Sequence, residues 1–443
     1  MRFLISRSRH LSTHFLGSLL LGSIFSTTSA TTIPEIKFTE FKLDNGLTLI
    51  VHEDHKAPIV SVNIWYHIGS KNERPGKTGF AHLFEHLMFQ GSENFDGEYL
   101  NALDEIGATD LNATTWFDRT NYFQTIPKGA LDRVLFLESD RMGHLLGAID
   151  QDKLDEQRGV VQNEKRQGDN QPYSKVWEPL LKQVFPNGHP YSWETIGSMD
   201  DLDAASLEDV QEWFKTYYGP DNAVLVIAGD IDAETALARV QHYFGDIPPG
   251  PPLNKQQVWI PAHFTERREV MQDRVPQARL YKAWTGPQWG SADANQLQLA
   301  LRILGGGKNS RLYKRLVYDD QIATDVDMDG LFLEIAGLVL LEASAKPGVE
   351  LATIEAAIEE EIQLFLKKGP TREELQREQT SIRANFIRGI ERIGGMGGKS
   401  SVLAEYATYG GSPDLYLNDL EIIASATRKD LQNTANKWLT PYP

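Results

Sequence analysis

The stretch that most limits what this chain can become is Gly79-Phe80-Ala81-His82-Leu83-Phe84-Glu85-His86-Leu87-Met88-Phe89, which contains His-x-x-Glu-His. On a helix, His82 and His86 lie one turn apart, so both imidazoles leave the same face. Two neutral imidazoles at that spacing suit Zn²⁺, which takes nitrogen ligands at roughly 2.0–2.1 Å in a tetrahedral site. Glu85 precedes the second histidine, points to the same side and is free to act as general base on a water that the metal activates. Phe80, Leu83, Phe84, Leu87 and Phe89 are apolar, which buries the helix on most sides. Two core histidines satisfied by the backbone, with a chance glutamate between them, would read the same over five residues, so a third ligand has to decide.

Downstream lies Leu154-Asp155-Glu156-Gln157-Arg158-Gly159-Val160-Val161-Gln162-Asn163-Glu164-Lys165-Arg166, with helical patterning. Gln157 and Glu164 are seven residues apart, on one face. Glu164 follows His86 by 78 positions. His-x-x-Glu-His followed at such a distance by glutamate is the inverted zinc motif. It resembles the pitrilysin, insulysin and mitochondrial processing peptidase family. The resemblance implies that His82, His86 and Glu164 hold one Zn²⁺ per chain and that Glu85 is the base. It also implies two homologous α+β domains, each a mostly antiparallel sheet packed with helices, related by internal duplication. The implied activity is zinc-dependent endopeptidase action on peptides or unfolded polypeptides in an enclosed chamber. A structural or assembly subunit of the same fold is the rival, and relatives of that kind lose the motif; an exported zinc carrier would not need Glu85.

Two features depart from the family. Where it often has a second acid seven residues before the ligand glutamate, this chain has Gln157, an amide able to hydrogen-bond a ligand histidine with less negative charge behind the metal. Members that work alone also carry an arginine and, seven residues on, a tyrosine after a Ser-Arg-Leu segment; they bind the substrate carbonyl. Aligned on Ser310-Arg311-Leu312, those positions are Val317 and Thr324. A homologous partner subunit is therefore expected to supply the Arg/Tyr pair in a heterodimer; a homodimer that manages with zinc alone is the alternative. Asn112-Ala113-Thr114 resembles the family's edge strand, to which an extended substrate adds as one more strand; an ordinary hairpin is the alternative.

The N-terminus reads as an export signal. Arg2, Arg7 and Arg9 precede the apolar run Phe15–Phe25, too short to span a bilayer, and Thr28-Ser29-Ala30 offers a cleavage site after Ala30. The expectation is a periplasmic protein without a membrane anchor. With no cysteine in the chain, there is neither a disulfide nor a lipid-bearing thiol, and a third zinc ligand must be oxygen or nitrogen. The formal charge of −17 becomes −20 without residues 1–30, which argues against nucleic acid as partner.

The domain reading is a signal at 1–30, a zinc-bearing domain at 31–244, a proline-rich linker at 245–261 and a homologous domain without a metal site at 262–443. A hairpin across Asp44-Asn45-Gly46, a buried strand at 59–68, a strand pair at 107–126 and a strand from Ala223 build the first domain. In the second, the helical stretch 292–304 mirrors the zinc helix. At an offset of 216, His82, Glu85 and His86 fall on Gln298, Leu301 and Arg302; at 221, Glu164 falls on Asn385. The fold is expected to be doubled and the metal site not, with the last strand of the second domain absent. His52, His55, His67 and His189 read as structural.

Overall fold

The structure is a computed structural model that describes residues 34–262 and 265–440. The signal expected at 1–30 lies outside these residues. Among them, no helix is long and apolar enough to cross a membrane.

The first half is built on a six-stranded sheet of β1 (Thr39–Lys42), β2 (Thr48–Glu53), β3 (Ile59–Tyr66), β4 (Thr109–Thr115), β5 (Thr120–Pro127) and β6 (Ala223–Gly229). Its order is β1-β2-β6-β3-β5-β4, antiparallel except where β2 runs parallel to β6. The β1–β2 turn works as the Asn-Gly signal requires: Gly46 takes φ 91°, and the Asn45 amide donates to the carbonyls of Phe244 (2.7 Å) and Ile247 (3.0 Å). β3 and β6 are apolar and buried on both faces, so they sit in the middle. The helices are α1 (Phe80–Leu87), α2 (Tyr99–Glu105), α3 (Leu131–Gly143), α4 (Gln151–Asp169), α5 (Trp177–Val184), α6 (Met199–Asp203), α7 (Leu207–Tyr217) and α8 (Ala233–Phe244). Leu83, Phe84 and Leu87 of α1 are wholly removed from water, each stabilising the fold by roughly 1.5–3 kcal/mol.

The second half carries β7 (Arg279–Gly286), β8 (Ala323–Phe332) and β9 (Gly337–Ala345), in the antiparallel order β7-β9-β8. That order repeats β3-β5-β4, and α9 (Ala292–Leu304) follows β7 as α1 follows β3. The remaining helices are α10 (Arg311–Tyr313), α11 (Leu351–Lys368), α12 (Arg372–Gly389), α13 (Lys399–Gly410), α14 (Tyr416–Ser425) and α15 (Arg428–Leu439). Among the described residues nothing in this sheet corresponds to β1, β2 or β6, and no strand follows α15.

The halves are packed together. Phe117, Leu181, Phe185 and Tyr191 of the first share a core with Leu333, Ile335 and Ala336 of the second. α13 lies against β3 and β6, where Ser400 Oγ is 3.0 Å from Ser61 Oγ and Lys399 Nζ is 2.8 Å from Asp54 Oδ2. Between α8 and β7 the described chain forms neither helix nor strand. It lies on the first half at Trp259, whose carbonyl meets His189 Nε2 at 2.8 Å.

Candidate metal centre

α1 starts at Gly79, in the left-handed region at φ 85°; a Cβ there would sit 2.6 Å from the carbonyl oxygen of Ile196. No side chain of the N-cap residue can satisfy the first turn, and Glu73 does so from the preceding loop. Its Oε1 accepts the Ala81 N–H at 2.8 Å, and its Oε2 accepts Trp193 Nε1–H at 2.9 Å. Burial pushes the Glu73 carboxyl up to about 8, against the pull of these donors. The helix thus reaches His82 anchored one residue earlier.

His82 and His86 cross edge to face with ring centroids 4.8 Å apart. The Nε2 atoms of both face one carboxylate oxygen on α4: Glu164 Oε2 is 3.7 Å from His82 and 3.6 Å from His86. One donor atom from each of the three residues falls within 4.8 Å of the others. These separations are too long for hydrogen bonds and close to the ~3.4 Å edge of a tetrahedron with Zn–N and Zn–O bonds near 2.0–2.1 Å. Burial, helped by His86, lowers the His82 pKa to about 4, so its imidazole is neutral and able to bind a metal. Donor set, spacing and protonation fit zinc.

Glu85 is 7% exposed and stands beside the trio. Burial raises its pKa to about 7; the Thr115 hydroxyl and the Arg119 guanidinium oppose that rise, and Glu164 adds to it. Thr115 Oγ1–H donates to Glu85 Oε2 at 2.5 Å. Glu85 is therefore poised near neutrality, where a proton acceptor is most useful.

β4 is the outer strand of its sheet, and no described strand pairs with its far side. Along it Asn112 is exposed, Ala113 buried and Thr114 half-buried. Arg119 Nη1 donates to the Thr114 carbonyl at 2.7 Å and stacks its guanidinium over Trp65. The structure thus brings His82, Glu85, His86 and Glu164 together and places Thr115, at the end of β4, on Glu85.

Gln157 departs from its expected role. It is buried on α4, yet among the described residues no hydrogen bond joins it to His82 or His86, and His82 Nδ1 is buried without a partner. Sharing a helical face with Glu164 does not by itself give its amide a bond to a ring. The histidines read as structural have partners of their own: His52 Nδ1 the Lys37 carbonyl at 2.6 Å, His55 the Asp230 carboxylate at 2.8 Å, and His67 the Glu334 carboxylate at 2.8 Å. His189 is packed between Phe185 and Trp259. Sequence reading missed Glu73, Thr115 and Arg119; only Thr115 had a signal, as the next residue of the strand already singled out.

Residues 48–197 match the family described as Insulinase (Peptidase family M16), and residues 204–382 match Peptidase M16 inactive domain. The chain is 28% identical over 421 residues to Zinc protease PqqE of Helicobacter pylori, covering 90% of this chain and 92% of the relative. A solved protease from Helicobacter pylori superposes with a TM-score of 0.80 at 26% identity, covering 92% of this chain and 97% of the other. The periplasmic protease PqqL from Escherichia coli shares the fold at a TM-score of 0.71 and 19% identity, covering 91% of this chain and 46% of that one.

Proposed function

Because the chain belongs to peptidase family M16, with relatives named zinc proteases, we propose that it is itself a zinc-dependent endopeptidase acting on peptides or unfolded polypeptides in an enclosed chamber. The observation that carries this reading is the convergence of His82, His86 and Glu164 with the buried carboxyl of Glu85 beside them. His82 and His86 would hold the ion through Nε2 and Glu164 through its carboxylate. When bound, zinc supplies Lewis acidity, polarising the attacked carbonyl. Glu85 takes the proton of the attacking water and passes it to the leaving amine; the Thr115 hydroxyl holds the receiving carboxylate in place. An extended substrate would pair with the open side of β4 at Asn112, Ala113 and Thr114.

We further propose a heterodimer. Val317 packs on the core of the second half, and the Thr324 hydroxyl donates to Gln277 Oε1 at 2.7 Å. Neither side chain can do the work of an arginine or a tyrosine, and the chain has about half the length of the PqqL protease. A homologous subunit would bring the missing donors, each worth about 10²–10³ in rate. Export to the periplasm belongs to the same reading. The rival, a non-catalytic subunit, draws on the family description "inactive domain", but that match falls on residues 204–382, outside His82, Glu85, His86 and Glu164.

The test is zinc content and hydrolysis of an unstructured peptide, with and without the product of a homologous partner gene. Glu85→Gln should keep about one zinc per chain and lose several orders of magnitude in rate. A zinc-free wild type would sink the reading.

A further inference from the structure

The tip of the β8–β9 turn enters the first half. Leu333, Ile335 and Ala336 are buried there, and Glu334 sits among them as the one carboxylate. Its Oε2 accepts from His67 Nε2 at 2.8 Å and from the ammonium of Lys71. Lys71 is only 7% exposed, and a buried ammonium is costly unless paired. Its second partner is Asp118 Oδ1 at 3.1 Å. Asp118 in turn accepts the Glu334 backbone N–H at 3.0 Å and the Tyr191 hydroxyl at 2.6 Å. One ammonium thus joins a carboxylate from each half.

Two short paths lead from this cluster to the metal centre. Asp118 belongs to the β4–β5 turn, whose Trp116 and Phe117 carbonyls accept the N–H groups of Ser70 (3.1 Å) and Lys71 (2.9 Å); the residue before Trp116 is Thr115, bonded to Glu85. Lys71 lies two residues before Glu73, which fixes the Ala81 N–H next to His82. From this we infer that Glu334 is a positioning residue: the metal-free half uses it to set both the proton acceptor and the metal helix of the other half. The catalytic part of this inference rests on the proposed peptidase reading; the mechanical part does not.

The test compares the full-length wild type with Glu334→Ala, Glu334→Asp and Lys399→Ala, the last breaking a different contact between the halves. In the metal-free proteins, amide hydrogen exchange at 69–73 and 116–120 should rise at least tenfold in Glu334→Ala, less in Glu334→Asp, and stay unchanged in Lys399→Ala. With zinc loaded, Glu334→Ala should lose about 10²-fold in kcat with KM little changed and zinc retained, a loss typical of a misplaced catalytic group; Glu334→Asp should recover part of it. Unchanged exchange in those segments, or an equal rise throughout the molecule, overturns the inference. So does an unchanged kcat. A wild type that cleaves no peptide overturns the peptidase reading instead, and exchange alone then decides whether Glu334 holds the site.

Discussion

The two halves use one scaffold to hold charge in opposite ways. In the first, α1 and α4 bring together two imidazoles, that of His82 kept neutral by burial, and the carboxylate of Glu164, a donor set able to hold a cation. In the second, α9 and α12 pack in the same relation, but Arg302 stands where His86 would be. Its guanidinium meets Glu378 Oε2 at 3.2 Å and Ser381 Oγ at 3.4 Å. Glu378 occupies the position of Gln157, by the same offset that takes Glu164 to Asn385. The second half carries a cation in its own side chain and its acid seven residues earlier; the first holds only donors that fit one. A permanently charged side chain turns a ligand site into a structural ion pair, because arginine cannot give up its proton to become a ligand.

The sharpest way to break this comparison is to import the second half's residue into the first. His86→Arg should abolish zinc binding and lower peptide hydrolysis by several orders of magnitude while the fold persists, as read by metal analysis, rate and circular dichroism. Retained zinc would mean that the trio is not the site. The converse change is milder. Arg302→Ala leaves Glu378, 8% exposed, with Arg377 as its remaining partner. It should cost about 1–3 kcal/mol in urea unfolding without touching zinc affinity.

The contact between the halves has a pH signature. Burial works against ionisation of Asp54, but the ammonium of Lys399 outweighs it and holds the carboxyl at about 2, below its ordinary 3.8. A carboxylate with a depressed folded pKa contributes stability that is complete above its unfolded pKa and is lost as pH falls from there through about 2. Lys399→Ala should therefore lower stability at pH 7, where the pair's contribution is complete, and change little near pH 2, which flattens the acid limb between those values. An unaltered acid limb would remove the pair from the interface account. The smallest effect belongs to Gln157→Ala. Lacking a bond to either ring, Gln157 should change zinc affinity by less than the 10–100-fold of an orienting residue, as read by chelator competition. A larger loss would restore that orienting role.

What the sequence made legible follows from the range of the interactions. His82, Glu85 and His86 share one helix, and Gln157 and Glu164 another, so periodicity alone places them on faces. The strand from Ile59 declares itself by its β-branched and aromatic composition, that from Thr48 by alternation beside the Asn-Gly turn, and that from Arg279 by its place ahead of a helix in the repeat. Glu334 meets His67, Lys71 and Asp118 across more than 200 residues of chain, and no local pattern encodes such a meeting. Glu73 is a loop residue whose role appears only once Gly79 turns the chain back onto it. The resemblance that placed Asn112 on an edge strand likewise says nothing of the Thr115 hydroxyl reaching a carboxyl on another element.

The central claim is that only the first of two like frames takes a metal. Crystals grown with zinc and measured on both sides of the zinc absorption edge test it directly. The account requires one anomalous peak per chain, between His82 Nε2, His86 Nε2 and Glu164, and none between Arg302 and Glu378. An empty first site, or a peak between α9 and α12, would contradict it.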